Sequence, residues 1–272
     1  MSEKKTQSSH YVSRVATKAW EGPDRRLHYF DLKTESMGAA PSIRLFTQEE
    51  PLADATEHTL NQRIEDSLGK YVQRCAKQGG GLVDVEGDDR MTRALVALIA
   101  LQGVRTRQAL EPAAMAFSLD QMLANERVID QLVDDHQREY VLVGAVLKPE
   151  EWLCHPSVGS FAIPVLDQQP AAAVPLSPGT FVALVAKGAN LTHFDQLVRT
   201  THTMGAFSML GGGLEHKVVV PASIVLSEKW KDDAPGLAAW MKETRVTGRQ
   251  LFNLIGKTAL DMGLKAYHYD GR

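Results

Sequence analysis

Apolar side chains recur at helical spacing along the middle of the chain. Between Asp54 and Lys77 the repeating positions are Leu60, Ile64, Leu68, Tyr71, Val72 and Cys75. A repeat of three to four residues places them on one face of an α-helix, and the glycines at 79–81 end that helix. Similar patterns predict helices over Asp89–Arg105 and Leu119–His136. Pro112 makes a break between them.

After residue 140 the pattern changes to short runs rich in Val, Ala and Leu, bounded by Pro and Gly. Such runs are typical of β-strands. The predicted strands are Leu27–Leu32, 140–147, the segment around Phe161, 174–186 and 217–226. Further helices are predicted over 191–204 and 237–264, and a loop with at most one short element over 34–53.

This order of elements predicts an α+β fold. We expect a single compact domain over residues 10–272, in which the helical middle section packs on a mixed sheet. The polar residues 1–9 are expected to form a disordered lead-in.

The composition of the chain excludes some classes of protein. The 272 residues include 30 Lys and Arg against 33 Asp and Glu, a net charge of −3, which excludes a globally basic nucleic-acid binder but not a local basic groove. Cys75 and Cys154 lie far apart, which favours a reducing compartment. Because no run of about 18 apolar residues is present, we expect a cytoplasmic protein with no membrane partner.

Several short segments, in their order along the chain, resemble a known family. They are His10–Arg14 (HYVSR), Leu27–Leu32 (LHYFDL), the helix with Ile64-Glu65-Asp66, Leu98–Thr106 (LIALQGVRT), Trp152–Gly159, Val174–Val182 (VPLSPGTFV) and Phe194–Arg199. Together they resemble the family known as domain of unknown function 4238. The resemblance covers residues 10 to 210 and implies a shared fold and candidate residues. It implies no reaction, because the family has no settled biochemical role.

The chain departs from that family's pattern at three places. Ser13 replaces the usual Pro, Cys154-His155 replaces Ser-Asp, and Asp195 stands where Asn is usual. If the family's Asp and Asn carry its chemistry, the resemblance implies that this chain has altered or lost that chemistry.

Four residues are candidates for catalysis: His10, Glu65, Arg105 and His155. A histidine such as His10 can act as a general base or metal ligand near neutral pH. The alternative is a structural histidine that fixes the N-terminal segment through backbone hydrogen bonds. His155 lies in a Cys-His-Pro loop, and loops on a rigid scaffold often carry function. We expect the His10 segment to lie close to the loop 152–159.

Glu65 lies within the apolar repeat of its helix, so either Glu65 or Asp66 faces inward. A buried carboxylate needs a partner or a raised pKa, and Arg105 at the end of the next helix is a plausible partner. Such a pair is either a structural salt bridge between two helices or part of a catalytic acid–base set.

Other motifs are weaker. Cys154 could be a nucleophile with His10 as its base, but a buried thiol is the simpler interpretation. No HExxH, CxxC or EF-hand spacing occurs, so no metal site is predicted.

The glycine runs 79–81 and 211–213 are predicted to be loops. Asp24 and Asp31 imitate the paired carboxylates of a Mg²⁺-dependent nuclease, but their spacing is short.

Three functions stay open at this point. The first is a hydrolase that acts on nucleic acid or nucleotide as an effector in bacterial or phage conflict, with the four candidates lining its site. The second is a non-enzymatic binding or regulatory module with a buried polar network, which the Cys154-His155 departure favours. The third is an assembly subunit. No cofactor is assigned, and the partner is either nucleic acid or a protein, although Lys and Arg form no basic patch in the sequence.

Overall fold

The computed structural model describes residues 9–48, 52–75, 81–83, 89–110, 115, 117–125, 127–147, 152–156, 159, 161–163, 171–189, 217–244 and 246. The predicted helices over 191–204 and beyond 246 lie outside these residues, as do the lead-in over 1–8, Pro112 and the glycines at 79, 80 and 211–213. The α+β class predicted from the sequence is confirmed.

The helix predicted between Asp54 and Lys77 is present but is not a single α-helix. It begins as α2 (Asp54–Leu60), continues through a π turn (Asn61–Glu65) and ends as α3 (Asp66–Cys75). The apolar positions of the repeat are buried, as expected: Leu60, Ile64, Leu68, Tyr71 and Cys75.

The next helix, α4 (Asp89–Leu110), is central to the core, because its apolar positions from 94 to 101 are almost all buried. The third predicted helix is in fact two, α5 (Leu119–Leu123) and α6 (Arg127–Glu139). At the start of α5, the backbone N–H of Gln121 donates to Ser118 Oγ, and Gln121 Oε1 accepts from the backbone N–H of Ser118. This capping box fixes where the helix begins.

The described strands pair only in antiparallel fashion, so the expected mixed sheet is corrected to antiparallel sheets. The strands are β1 (Ser9–His10), β2 (Arg26–Asp31), β3 (Ser36–Pro41), β4 (Thr47–Gln48), β5 (Gly81–Val83), β6 (Tyr140–Val146), β7 (His155–Pro156), β8 (Phe161–Ile163), β9 (Ala171–Ser177), β10 (Thr180–Ala186) and β11 (Lys217–Val220). They form a five-stranded sheet in the order β5-β6-β10-β9-β8, a four-stranded sheet in the order β3-β2-β11-β7, and the pair β1-β4.

The loop expected over 34–53 contains two of these strands, and that prediction was wrong. β3 pairs with β2 along its whole length although its sequence, SMGAAP, has weak β-propensity. Gly38 lies opposite Tyr29, and a Cβ at Gly38 would lie 2.6 Å from the Tyr29 ring. The ring thus covers the glycine, an arrangement that stabilises pairing despite the weak local preference.

Three smaller boundaries also differ from the predictions. Ser9 belongs to β1 and pairs with Gln48, so the ordered chain includes a residue that we assigned to the lead-in. Gly81 begins β5 instead of lying in a loop. The strand predicted over 217–226 ends at Val220, and α7 (Ala222–Val225) follows Pro221. The last described helix covers 234–244.

Strand residues alternate between layers. On β10, Leu184 packs with the helices α2 to α6, whereas Phe181 packs with the N-terminal segment and the four-stranded sheet. On β11, Val219 faces the same interior as Phe181, whereas Val218 packs with the helix over 234–244. The layers therefore follow in the order helices, five-stranded sheet, four-stranded sheet with the N-terminal segment, and the helix over 234–244.

Trp20 joins the N-terminal segment to the segment before β7. Its side chain is fully buried, and its indole N–H donates to the carbonyl of Leu153 at 2.8 Å. Trp20→Phe should lower the free energy of unfolding by about 1–3 kcal/mol, because a buried carbonyl loses its donor. Urea denaturation measures the loss, with Trp240→Phe, a half-buried indole, as the control. Equal losses in the two variants would contradict this role for Trp20.

Candidate functional site

Side chains from three elements meet at the guanidinium of Arg105. Arg105 lies near the end of α4, and only 8% of its side chain is exposed. Its Nη1 lies 3.4 Å from Oε1 of Glu65, and its Nη2 lies 3.6 Å from Oε1 of Glu57. The contact predicted between Glu65 and Arg105 is therefore present. Glu57 is a second carboxylate that the sequence analysis missed.

The π turn explains how two glutamates eight positions apart reach the same arginine. In a regular α-helix, eight residues advance by about 80° beyond two full turns, so Glu57 and Glu65 would face different directions. A π turn is wider and rotates less per residue, and this one lies between the two glutamates. The π turn therefore brings Glu65 back towards the helix face on which Glu57 lies.

His10 ends β1 beside this cluster. Burial and the positive charges of Arg14 and Arg105 lower the pKa of its imidazole. Hydrogen bonding to the backbone at Ile43 and Ser42 raises the pKa by less. Its Nε2 is buried and has no hydrogen-bond partner among the described residues. A pKa below the ordinary histidine value favours the neutral imidazole at pH 7, the form that can accept a proton.

Two further buried atoms of the cluster have no hydrogen-bond partner within the described part of the chain: Nε of Arg105 and Oε1 of Glu57. A buried polar group without a hydrogen-bond partner lowers the free energy of unfolding by about 1–3 kcal/mol. Each such group is therefore expected to bind a ligand or a water molecule. A shallow depression beside Arg105 has room for about one water molecule. It is lined by apolar residues of the two helices together with Glu65, Gln102 and Arg105.

Gln102 connects the His10 segment to the loop 152–159. Its Nε2 donates to the carbonyl of Tyr11 at 2.9 Å and to Oγ1 of Thr106 at 3.0 Å. Gly159 lies against the same amide: it has a φ of +70°, and a Cβ there would lie 2.4 Å from Gln102 Nε2. The expected approach of the two segments is therefore present, with the Gln102 amide between them.

The structure does not bring His155 into this cluster. His155 is fully buried in β7, and its ring meets the Trp20 ring edge-on with 5.1 Å between centroids. Phe46 lies 6.3 Å from it and 6.0 Å from Tyr11, again between ring centroids. His155 thus contacts the aromatic rings of Trp20 and Phe46. Of the four candidates, Glu65 and Arg105 are in contact, and the charge of Arg105 acts on His10.

Cys154 and the paired aspartates do not supply an alternative site. Complete burial raises the pKa of the Cys154 thiol well above its usual value, so it is no ready nucleophile. Asp24 and Asp31 flank opposite ends of β2, and their carboxylates accept hydrogen bonds from nearby backbone N–H groups instead of converging.

Within the residues that the structure describes, no group of three or more His, Cys, Asp or Glu side chains is arranged to hold a metal ion. None of the helices in that part of the chain combines the length and the apolar character needed to cross a membrane.

The comparisons with known proteins found no relative of this chain. No family model matches the chain, and neither the curated proteins nor the solved structures contain a match. The resemblance to domain of unknown function 4238 therefore stays a prediction, and the function must be argued from the site itself.

Arg105→Met should lower the free energy of unfolding by about 3–5 kcal/mol, because it leaves two largely buried carboxylates without their shared cation. Adding Glu57→Gln and Glu65→Gln should recover part of that loss, since no unpaired charge then remains. Arg138→Met is the matched control: Arg138 and its partner Asp135 are 76% and 67% exposed, so the loss should stay below about 1 kcal/mol. Urea denaturation checks all three, and equal losses for Arg105 and Arg138 would refute the shared-cation arrangement.

Proposed function

We propose that the Arg105 cluster is the active site of a hydrolase in which His10 acts as the general base. One observation carries this proposal: Arg105 Nε, Oε1 of its partner Glu57, and Nε2 of His10, whose imidazole is affected by the charge of Arg105, are buried and have no described hydrogen-bond partner. The first is a donor, and the other two are acceptors. This set suits a water molecule, which accepts one hydrogen bond and donates two.

Hydrolysis by such a site follows ordinary acid–base chemistry. As the water oxygen bonds to the electrophilic atom of an ester, His10 Nε2 takes one water proton. The bond to the leaving oxygen then breaks, and the protonated imidazole gives that proton to the departing oxygen. The neutral imidazole is restored. Arg105 and Glu57 position the water before it attacks.

The substrate we propose is a phosphate ester of a nucleic acid or nucleotide. The positive charge of Arg14, which is exposed and has no ion pair among the described residues, acts on His10, and such charge favours an anionic substrate group. A π turn in the helix that carries the glutamates agrees with this proposal, because π turns occur frequently at functional sites. The suggested role in bacterial or phage conflict stays a hypothesis.

A specific observation supports the second candidate, a non-enzymatic module with a buried polar network. Arg105 is already paired with both Glu57 and Glu65, and the depression beside it holds about one water molecule. In that case the cluster fixes the packing of α2, the π turn and α4, and an ordered water completes its hydrogen bonds.

Removal of the His10 imidazole distinguishes the two candidates. His10→Ala should lower kcat about 10²- to 10⁴-fold on phosphodiesters such as bis(p-nitrophenyl) phosphate or single-stranded DNA, and added imidazole should restore part of it. The control is His28→Ala, because His28 in β2 is also half-buried with a lowered pKa. If His10→Ala loses stability but no activity relative to His28→Ala, the cluster is a structural network.

The acid limb of the kcat/KM profile should lie below pH 6.5. Burial and the charges of Arg14 and Arg105 lower the pKa of His10, so the imidazole is still neutral, and able to accept a proton, at pH 6.5. Initial rates between pH 4.5 and 8 with a phosphodiester test this. A limb with its midpoint at or above the ordinary histidine pKa of about 6.5 would exclude His10 as the base.

A further inference from the structure

Two segments, one that contains His10 and one that pairs with it, carry cations and no carboxylates. Residues 9–20 and 36–46 contain Arg14, Lys18 and Arg44 but no Asp or Glu, although acidic residues outnumber basic ones in the whole chain, 33 to 30. The imbalance is therefore local. It could not be recognised in the sequence, because fifteen residues separate the segments.

Folding joins these segments into one surface. β1 pairs with β4, so His10 lies opposite Thr47, and the backbone N–H of Tyr11 donates to the carbonyl of Phe46 at 2.9 Å. The short helix α1 (Arg14–Thr17) packs against the turn Ser42–Arg44. His10 lies near both elements, because the charge of Arg14 and the backbone at Ser42 and Ile43 both affect the pKa of its imidazole.

The cations of this surface are exposed to solvent. Arg14, Lys18 and Arg44 are all exposed, and none forms an ion pair with a residue that the structure describes. Lys231, by contrast, is exposed but pairs with Glu228 at 2.7 Å. A set of cations with no ion pair among the described residues is complementary to a ligand with several negative charges.

Two apolar side chains are exposed on the same two elements. Ile43 is 55% and Val15 is 39% exposed, and each directly adjoins an arginine in the chain, Arg44 and Arg14. A surface that alternates cations with exposed apolar groups suits a ligand in which phosphates alternate with sugars and bases.

We infer that this surface, the basic rim formed by Arg14, Val15, Lys18, Ile43 and Arg44, binds a single strand of nucleic acid beside His10. The inference rests on the proposed function for the role of His10, and it deepens that function by naming a polynucleotide as the substrate instead of a free nucleotide. Cations on two separate elements, with His10 near both, fit a chain of phosphates better than a single phosphate group.

Salt-dependent binding tests the basic rim without requiring hydrolysis. Fluorescence anisotropy with a labelled single-stranded DNA oligonucleotide gives the affinity between 50 and 300 mM KCl. In the double variant Arg14→Gln/Arg44→Gln, the slope of log affinity against log salt should fall by about 0.7 for each arginine removed, and the affinity at 50 mM should fall about tenfold or more. The matched control is Arg127→Gln/Lys187→Gln, two exposed cations outside the rim, which should bind like the wild type.

Ile43→Ser separates apolar contact from charge. It should weaken binding of the oligonucleotide severalfold and leave the salt slope unchanged, because it removes no cation. Poly-glutamate of equal charge should compete poorly, since it lacks sugars and bases.

The inference is overturned if the wild type does not bind the oligonucleotide at 50 mM KCl, or if the rim and control variants lose affinity equally. It is also overturned if poly-glutamate competes as well as DNA, which would indicate an acidic protein partner, or if a nucleoside triphosphate does so. These results are independent of catalysis: binding that depends on the rim without any hydrolysis would contradict only the proposed hydrolase, whereas hydrolysis without such binding would contradict only the rim.

Discussion

A guanidinium shared between two carboxylates organises the helical half of this protein. Arg105 on α4 contacts Glu57 on α2 and Glu65 at the end of the π turn, so one side chain joins helical elements that precede and follow the break. Because such a charge is costly to bury alone, the three groups must fold together. The π turn places Glu65 so that this requirement is met.

The N-terminal segment brings the remaining chemistry to this arginine. Gln102, on the same helix as Arg105, donates to the backbone of Tyr11 and thereby holds the residue next to His10. The rings of Trp20 and His155 pack edge-on in the same N-terminal part of the fold. The site thus combines a packed support with buried polar atoms that lack a hydrogen-bond partner among the described residues.

Sequence reasoning identified the pair of Glu65 and Arg105 because both lie in strongly periodic helices, where the inward position follows from spacing. It missed Glu57, since the π turn changes the angular offset and leaves no signal in the apolar repeat. It placed His155 in a site, although the loop position of a residue says nothing about the Trp20 ring that buries it. β3 was missed because its pairing depends on Tyr29 in the neighbouring strand, a contact made in three dimensions.

A general base at His10 requires a neutral imidazole beside the charge of Arg105. NMR titration of the His10 ring measures its pKa in the wild type and in Arg105→Gln, with Arg14→Gln as a second variant that leaves the carboxylate pairs intact. We expect the wild-type pKa to lie below the ordinary value and to rise when either positive charge is removed, because both charges lower it. A His10 pKa at or above about 6.5 that neither substitution changes would contradict the account.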